Sequence, residues 1–268
     1  MARAPGIDAT AEVHPLAVVE PGAEIGPGAR VGPFCLIGPE VRLGARVEVR
    51  SHAIVTGRTT VGEATVIFPF ATIGEVPQDL KYKGEPTELV IGARNRVREH
   101  VTMNTGTEGG GGVTRVGDDG LFMAGAHVAH DCQIGNRVIL VNNAALAGHC
   151  VLEDDVIVGG LSGVHQFVRI GRGAIIGAVT MVTADVVPHG LVQGPRGVLD
   201  GLNLVGLKRR GTDKADINAL RDLYAALSEG NFRETARRIA DEKPTSALVD
   251  EVLNFILGPS DRSFLTPR

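Results

Sequence analysis

The sequence predicts a mainly β fold, a parallel β-helix of hexapeptide repeats followed by a C-terminal α-helical domain. Three observations carry that expectation. An aliphatic residue recurs at every sixth position; glycine is abundant at 36 residues while aromatics make up 4% and Trp is absent; and the hexads stop at Pro188, beyond which apolar spacing becomes helical. Scarce aromatics with many glycines indicate tight turns around a narrow aliphatic interior.

The first series starts at Ile7 and runs through Val13, Val19, Ile25, Val31, Ile37, Leu43, Val49, Val55, Val61 and Ile67 to Ile73. A second starts at Val116 and passes Phe122, Val128, Ile134, Leu140, Leu146, Leu152, Val158, Val164, Ile170 and Ile176 to Val182. Glycine often follows the aliphatic residue, as at Gly26, Gly32, Gly135 and Gly171. A period of six matches neither an amphipathic helix nor one alternating strand, but it suits short strands joined by tight turns. Each such coil buries its apolar stripe only by stacking on the next.

Two segments break the winding. Residues 75–90 read as an excursion, because the aliphatic register resumes in phase at Ile91, Val97 and Met103. Residues 104–115 shift the phase by one, and their glycine run reads as a tolerated, flexible insertion. Beyond Val186 the spacing of Ile217, Leu220, Tyr224 and Leu227 predicts a helix, with further helices over 232–241 and 246–257. Residues 1–190 are therefore read as the β-helix and 191–268 as a helical domain that covers its open end.

Composition limits the function. With 27 basic against 31 acidic residues and a net charge of -4, the chain lacks the cationic surface of a nucleic-acid binder. Cys35, Cys132 and Cys150 are scattered and odd in number, which points to small buried residues in a reducing compartment rather than disulfides or zinc ligands. No signal-peptide core is apparent in the first ten residues, nor any apolar run long enough to span a membrane, so a soluble cytoplasmic protein is expected.

The hexads resemble those of the known hexapeptide-repeat proteins, and the resemblance implies three hexads per eighteen-residue coil. The usual crossover rule favours right-handed winding; the resemblance implies left-handed winding instead. With coils of eighteen residues, His130, Gly148 and Gln166 stack in one column, and Asp131 and His149 in the next, with His165 and His127 close by. Neighbouring coils lie about 4.8 Å apart, so one edge of the prism gathers these groups. Singly, each histidine reads as a turn or surface residue. Together they suit general-base chemistry: His130 as the base, Asp131 orienting it, and the Gly148 N–H facing a developing oxyanion.

The segments GEVPQDLKYKGEPT, AHVAHDCQIGN, LAGHC, GVHQF and GLKRRG closely resemble the UDP-N-acetylglucosamine O-acyltransferases that open lipid A biosynthesis, along nearly the whole chain. The resemblance implies a homotrimer with sites at the subunit clefts. It also implies transfer of an (R)-3-hydroxyacyl group from acyl carrier protein to the 3-hydroxyl of UDP-N-acetylglucosamine, with no cofactor and no metal. By motif, His130 is the base, Asp131 its orienting acid and Gly148 the oxyanion donor. His127, His149, His165 and Gln166 match positions that contact sugar, diphosphate or acyl chain; Asp79 and Lys81 match residues reaching into the site. Asn203 and Arg210 match the nucleotide-binding stretch, with Arg209 assisting. Taken alone, Lys208 to Arg210 read as a solvated charge run.

Three positions depart from the family pattern. Asn104-Thr105 stands where His-Arg is frequent, which opens the 3-amino analogue of the sugar as an alternative acceptor. Val205 replaces an acidic residue often found beside the uridine, and Ala178 occupies the position associated with acyl-chain length. Competing readings are a zinc lyase resembling γ-class carbonic anhydrase, a non-catalytic scaffold, and an acyltransferase acting on another nucleotide sugar or from acyl-CoA.

Overall fold

A computed structural model describes residues 6–260 and 262–267. The start of the expected β-helix at residues 1–5, and positions 261 and 268 of the expected helical domain, lie outside the described residues. Three parallel sheets form the sides of a prism. The first stacks nine strands from Gly6–Ile7 to Arg169–Ile170, and the third stacks nine from Val18–Val19 to Met181–Val182. The second begins at Glu12–Val13 and has eleven.

Register gives the coil length directly. Ile7 pairs with Ile25, Ile25 with Leu43, Val116 with Ile134 and Ile134 with Leu152, eighteen residues each time. The hexad aliphatics point inward and are almost all buried from Ile25 onward. Two residues before each of them sits a second inward position, at the corner of the prism. There space is short, and small residues fill it: Ala23, Ala29, Ala53, Ala71, Ala126, Ala144 and all three cysteines, which are free and buried.

Two coils are longer. Val61 pairs with Ile91, thirty residues on, and Ile91 with Val116, twenty-five on. The first excursion therefore adds twelve residues, a multiple of six, which is why the hexad phase survives it; the second adds seven, which moves it by one. Both are shorter than expected, because strands continue to Glu75 and Asn104 and resume at Glu88 and Val113. Only 76–87 and 105–112 leave the coil.

The expected boundary at residue 190 needs correction. Strand Gly190–Gln193 pairs in parallel with Ile175–Ile176 and then turns back on Val198–Leu202, so the second sheet ends in an antiparallel hairpin. This closes an edge of unpaired main chain that six-residue patterning could not show. Four helices follow: α1 (Leu204–Arg209), α2 (Lys214–Ser228), α3 (Phe232–Asp241) and α4 (Ala247–Leu257). The GLKRRG run thus begins inside a helix rather than before one, started by Asn203, whose side chain accepts from Gly206 N.

Helices α2 and α4 bury Leu220, Leu223, Val252 and Ile256 against one another and the coil end, and the Tyr224 hydroxyl donates to the Pro188 carbonyl at 3.0 Å. The C-terminal segment then returns to the coil. There Asp185, fully buried, accepts from Arg169 Nε (2.7 Å), Arg169 N (2.9 Å) and Ser260 Oγ (2.7 Å).

Candidate active site

Each coil turns three corners, and the third, where the third sheet passes to the first, carries the histidine cluster. The turn between strands His127–Val128 and Gln133–Ile134 holds His130 and Asp131; the next coil places Gly148 and His149 over them, and the one after that Gln166 and Phe167. Asp131, His149 and Phe167 sit in the left-handed region, with φ of 60°, 62° and 65°. Short polar side chains tolerate that conformation better than branched ones, so corner geometry and chemistry favour the same residue types here.

His130 Nδ1 lies 2.8 Å from Asp131 Oδ2, with the two side chains 12% and 1% exposed. The Asp131 carboxylate also accepts from Thr107 N on Oδ1 (2.8 Å) and from Thr107 Oγ1 on Oδ2 (2.6 Å), while its own main-chain N–H donates to Thr114 Oγ1 (2.8 Å). A carboxylate surrounded by donors is an acceptor, so His130 carries its proton on Nδ1 and leaves the Nε2 lone pair free. That lone pair lies beside Gly148. A Cβ at this glycine would stand 2.6 Å from Nε2 and collide with Cε1, so only glycine lets the imidazole lie there. The Gly148 N–H has no protein acceptor among the described residues.

His149 packs edge-on to His130 at 5.0 Å between ring centroids and stacks on Phe167 at 4.3 Å. Burial holds its pKa below the ordinary histidine value, against the opposing pull of the Asp131 charge. His127 is pushed down by burial too, with a smaller contribution from the His130 charge, and its Nδ1 meets Thr102 Oγ1 at 2.7 Å. Both are therefore set to be neutral near pH 7.

A cleft of about 380 Å³ opens beside this corner. Asp79, Lys81 and Tyr82 from the first excursion line one side of it, Thr107 from the second another, and His149 with Phe167 its floor. The 105–112 segment, expected as a tolerated insertion, is instead a built wall: Gly110 lies flat on the Asp131 carboxylate, where any Cβ would strike Cγ and both oxygens. Asn104 anchors the other wall by donating from Nδ2 to the Val76 carbonyl at 3.0 Å.

His130, Asp131, Gly148, His149, Asp79 and Lys81 are thus brought together, with His127 one strand away and His165 and Gln166 one coil on. Arg262 of the C-terminal segment, which the sequence did not flag, donates to His165 Nδ1 and the Gln166 carbonyl. Asn203, Arg209 and Arg210 are not brought to this corner within the chain. They lie at the first corner, where Asn203 Nδ2 donates to the Gly173 carbonyl (2.9 Å) and Arg210 approaches His189 Nδ1 (3.3 Å). Ala178 is exposed at the second corner, and Val205 is 61% exposed on α1. Thr107, Thr114, Thr102, Tyr82 and Phe167 were missed; only Phe167, eighteen residues after His149, had a signal in the coil period.

His130, Asp131 and His149 also offer ligand atoms within 4.8 Å of one another, close enough to hold a metal ion. Asp131 Oδ2 is already shared between Thr107 Oγ1 and His130 Nδ1, so the cluster is organised around hydrogen bonds to the carboxylate.

Comparison with known proteins supplies the family. A family model described as UDP-N-acetylglucosamine O-acyltransferase, domain 2, matches residues 185–265. The acyl-(acyl-carrier-protein)–UDP-N-acetylglucosamine O-acyltransferase of Paracoccus denitrificans is 78% identical over 202 residues, 75% of this chain and 77% of that protein. The enzyme of the same name from Rhizobium etli is 51% identical over 263 residues, 97% of each chain. A crystal structure of a UDP-N-acetylglucosamine acyltransferase superposes with a TM-score of 0.93 at 41% identity, covering 96% of this chain and 99% of the other. The UDP-N-acetylglucosamine acyltransferase of Campylobacter jejuni gives 0.91 at 36%, covering 96% and 100%. The architecture is accordingly a left-handed parallel β-helix with a C-terminal helical domain. Identity of this extent along nearly the whole chain makes it a member of the acyl-(acyl-carrier-protein)–UDP-N-acetylglucosamine O-acyltransferase family.

Proposed function

We propose that the protein transfers an (R)-3-hydroxyacyl chain from acyl carrier protein to the 3-hydroxyl of UDP-N-acetylglucosamine, the first step of lipid A biosynthesis. The observation that carries the reading is the His130 imidazole, held by Asp131 through Nδ1 and packed with its Nε2 edge where a Gly148 side chain would otherwise stand. Nε2 removes the proton of the 3-hydroxyl as its oxygen attacks the thioester carbonyl. The negative charge that develops on the carbonyl oxygen meets the Gly148 N–H. Collapse of the tetrahedral intermediate expels the phosphopantetheine thiolate, which takes the proton back from His130. The thioester is already activated, so the chemistry needs no cofactor or metal.

The active assembly in this reading is a homotrimer in the cytoplasm. Two placements support a shared site. Asn203, Arg209 and Arg210 sit at the first corner and Ala178 at the second, so a substrate at His130 reaches their equivalents only on another copy. The second corner also exposes Leu16, Phe34, Phe70, Leu161 and Val179, an apolar row suited to burial between subunits and to lining an acyl chain. Among the described residues no helix is long and apolar enough to cross a membrane.

The test is an assay pairing UDP-N-acetylglucosamine, and separately its 3-amino analogue, with hydroxyacyl carrier proteins of several chain lengths. Product on the 3-hydroxyl is expected, with His130→Ala lowering turnover by about 10²–10⁴-fold, the usual weight of a general base. Wild-type protein that acylates neither sugar overturns the proposal.

A further inference from the structure

We infer that Thr107 is a positioning residue for this reaction: its main-chain N–H and its hydroxyl clamp the two oxygens of Asp131, and so fix the orientation and tautomer of His130. The inference rests on the acyl-transfer reading above and deepens it.

Each oxygen of the carboxylate has a different partner. Oδ1 takes the Thr107 N–H at 2.8 Å; Oδ2 takes the Thr107 hydroxyl at 2.6 Å and the His130 Nδ1–H at 2.8 Å. A carboxylate held by one hydrogen bond rotates about its Cβ–Cγ bond, and its oxygens then wander. Held on both oxygens by one residue, it presents Oδ2 to the imidazole in a single orientation. The rest of the environment prevents escape. Gly110 covers one face of the carboxylate, and the Asp131 main chain is tied through its N–H to Thr114 Oγ1 on the coil below.

The hydroxyl is needed for a second reason. Oδ2 also lies 3.7 Å from His149 Nδ1, a competing partner on the next coil. The Thr107 hydroxyl occupies the remaining acceptor capacity of Oδ2, which keeps His130 as the imidazole the carboxylate serves. The excursion at 105–112, which lengthens its coil by seven residues, thus has a chemical purpose, since it carries the clamp across the corner.

The variant that isolates the hydroxyl is Thr107→Val, which keeps the shape and the N–H. Thr107→Ser restores the hydroxyl. Loss of one buried charge-assisted hydrogen bond lowers kcat by roughly ten- to a hundredfold, with KM for both substrates within about twofold because Asp131 does not hold substrate. Thr107→Ser is expected to recover most of the loss. In an Asp131→Asn background the valine change is expected to cost nothing further, since both act through one group.

A readout independent of turnover is nitrogen-15 NMR of labelled histidine. In wild-type protein His130 should be protonated on Nδ1 alone, and in the valine variant it should divide between both tautomers. Unchanged kcat in the valine variant, an effect confined to KM, or full additivity with Asp131→Asn overturns the inference. If wild-type protein shows no acyl transfer, the function above falls, and the tautomer measurement alone decides the role of Thr107.

Discussion

Replacing Gly148 by alanine adds one methyl group where the His130 imidazole lies against the main chain. The new Cβ would be 2.6 Å from Nε2 and closer still to Cε1, whereas ordinary contact begins near 3.4 Å, so the ring must retreat by about 1 Å. It cannot do so freely, because Nδ1 is tied to an Asp131 carboxylate that is itself held by Thr107, on a main chain whose N–H donates to Thr114 Oγ1. Either the 2.8 Å bond opens or the whole unit tilts, and Nε2 leaves the line of attack. A displacement of about 1 Å costs on the order of 100-fold in rate, equivalent to ~2.7 kcal/mol of transition-state stabilisation. Alanine keeps the main-chain N–H, and Gly148 is not among the residues with positive φ, so neither the oxyanion donor nor the backbone conformation is at stake. The assay is steady-state acyl transfer followed by product formation, with a thermal melt on the same samples. A kcat about a hundredfold down with nearly unchanged melting is expected. Turnover within threefold of wild type would refute the claim that Nε2 is the working atom and that glycine is there to make room for it.

The buried pair of Arg169 and Asp185 ties the C-terminal segment to the coil, so Asp185→Ala leaves a mostly buried guanidinium without its partner. A loss of ~3–5 kcal/mol in urea unfolding is expected, with faster proteolysis near Ser260; unaltered unfolding would show the segment is held by packing alone. The depressed pKa values of His127 and His149 set a pH dependence of stability. Below the unfolded value of ~6.5 the unfolded chain binds protons that the folded one resists, so their contribution is complete above that pH and is lost as pH falls through the folded values. Wild-type protein should therefore lose more unfolding free energy than His127→Gln between pH 7.5 and 5.5, and parallel curves for the two would contradict the assignment. Protein purified without chelator should hold no stoichiometric zinc by elemental analysis; zinc that tracked activity would revive the lyase reading.

The coil was legible because its code is local. A hexad states only which side chains point inward; with the three hexads per coil that the resemblance implied, the eighteen-residue pairings of Val116 with Ile134 and Ile134 with Leu152 follow. The same arithmetic set His130 against Gly148 and Asp131 against His149. Helix α2 was legible for a similar reason, through the helical spacing of Ile217, Leu220, Tyr224 and Leu227. The hairpin over 190–202 was not, because it abandons the six-residue period at the moment the sheet needs an end.

What the sequence by itself determined is the periodic part: the six-residue inward stripe and, with the eighteen-residue coil that the resemblance implied, the column that brings His130, Asp131, Gly148 and His149 together. Tertiary structure alone decided how the two excursions lie. The path of residues 105–112 across the third corner, which delivers Thr107 to Asp131 and lays Gly110 on its carboxylate, depends on polar partners twenty or more residues away. It likewise decided that Asn203 and Arg210 end at a different corner from His130. A repeat specifies direction relative to its own axis, whereas a loop finds its place through hydrogen bonds to whatever surface it meets, and that surface exists only once the coils have stacked.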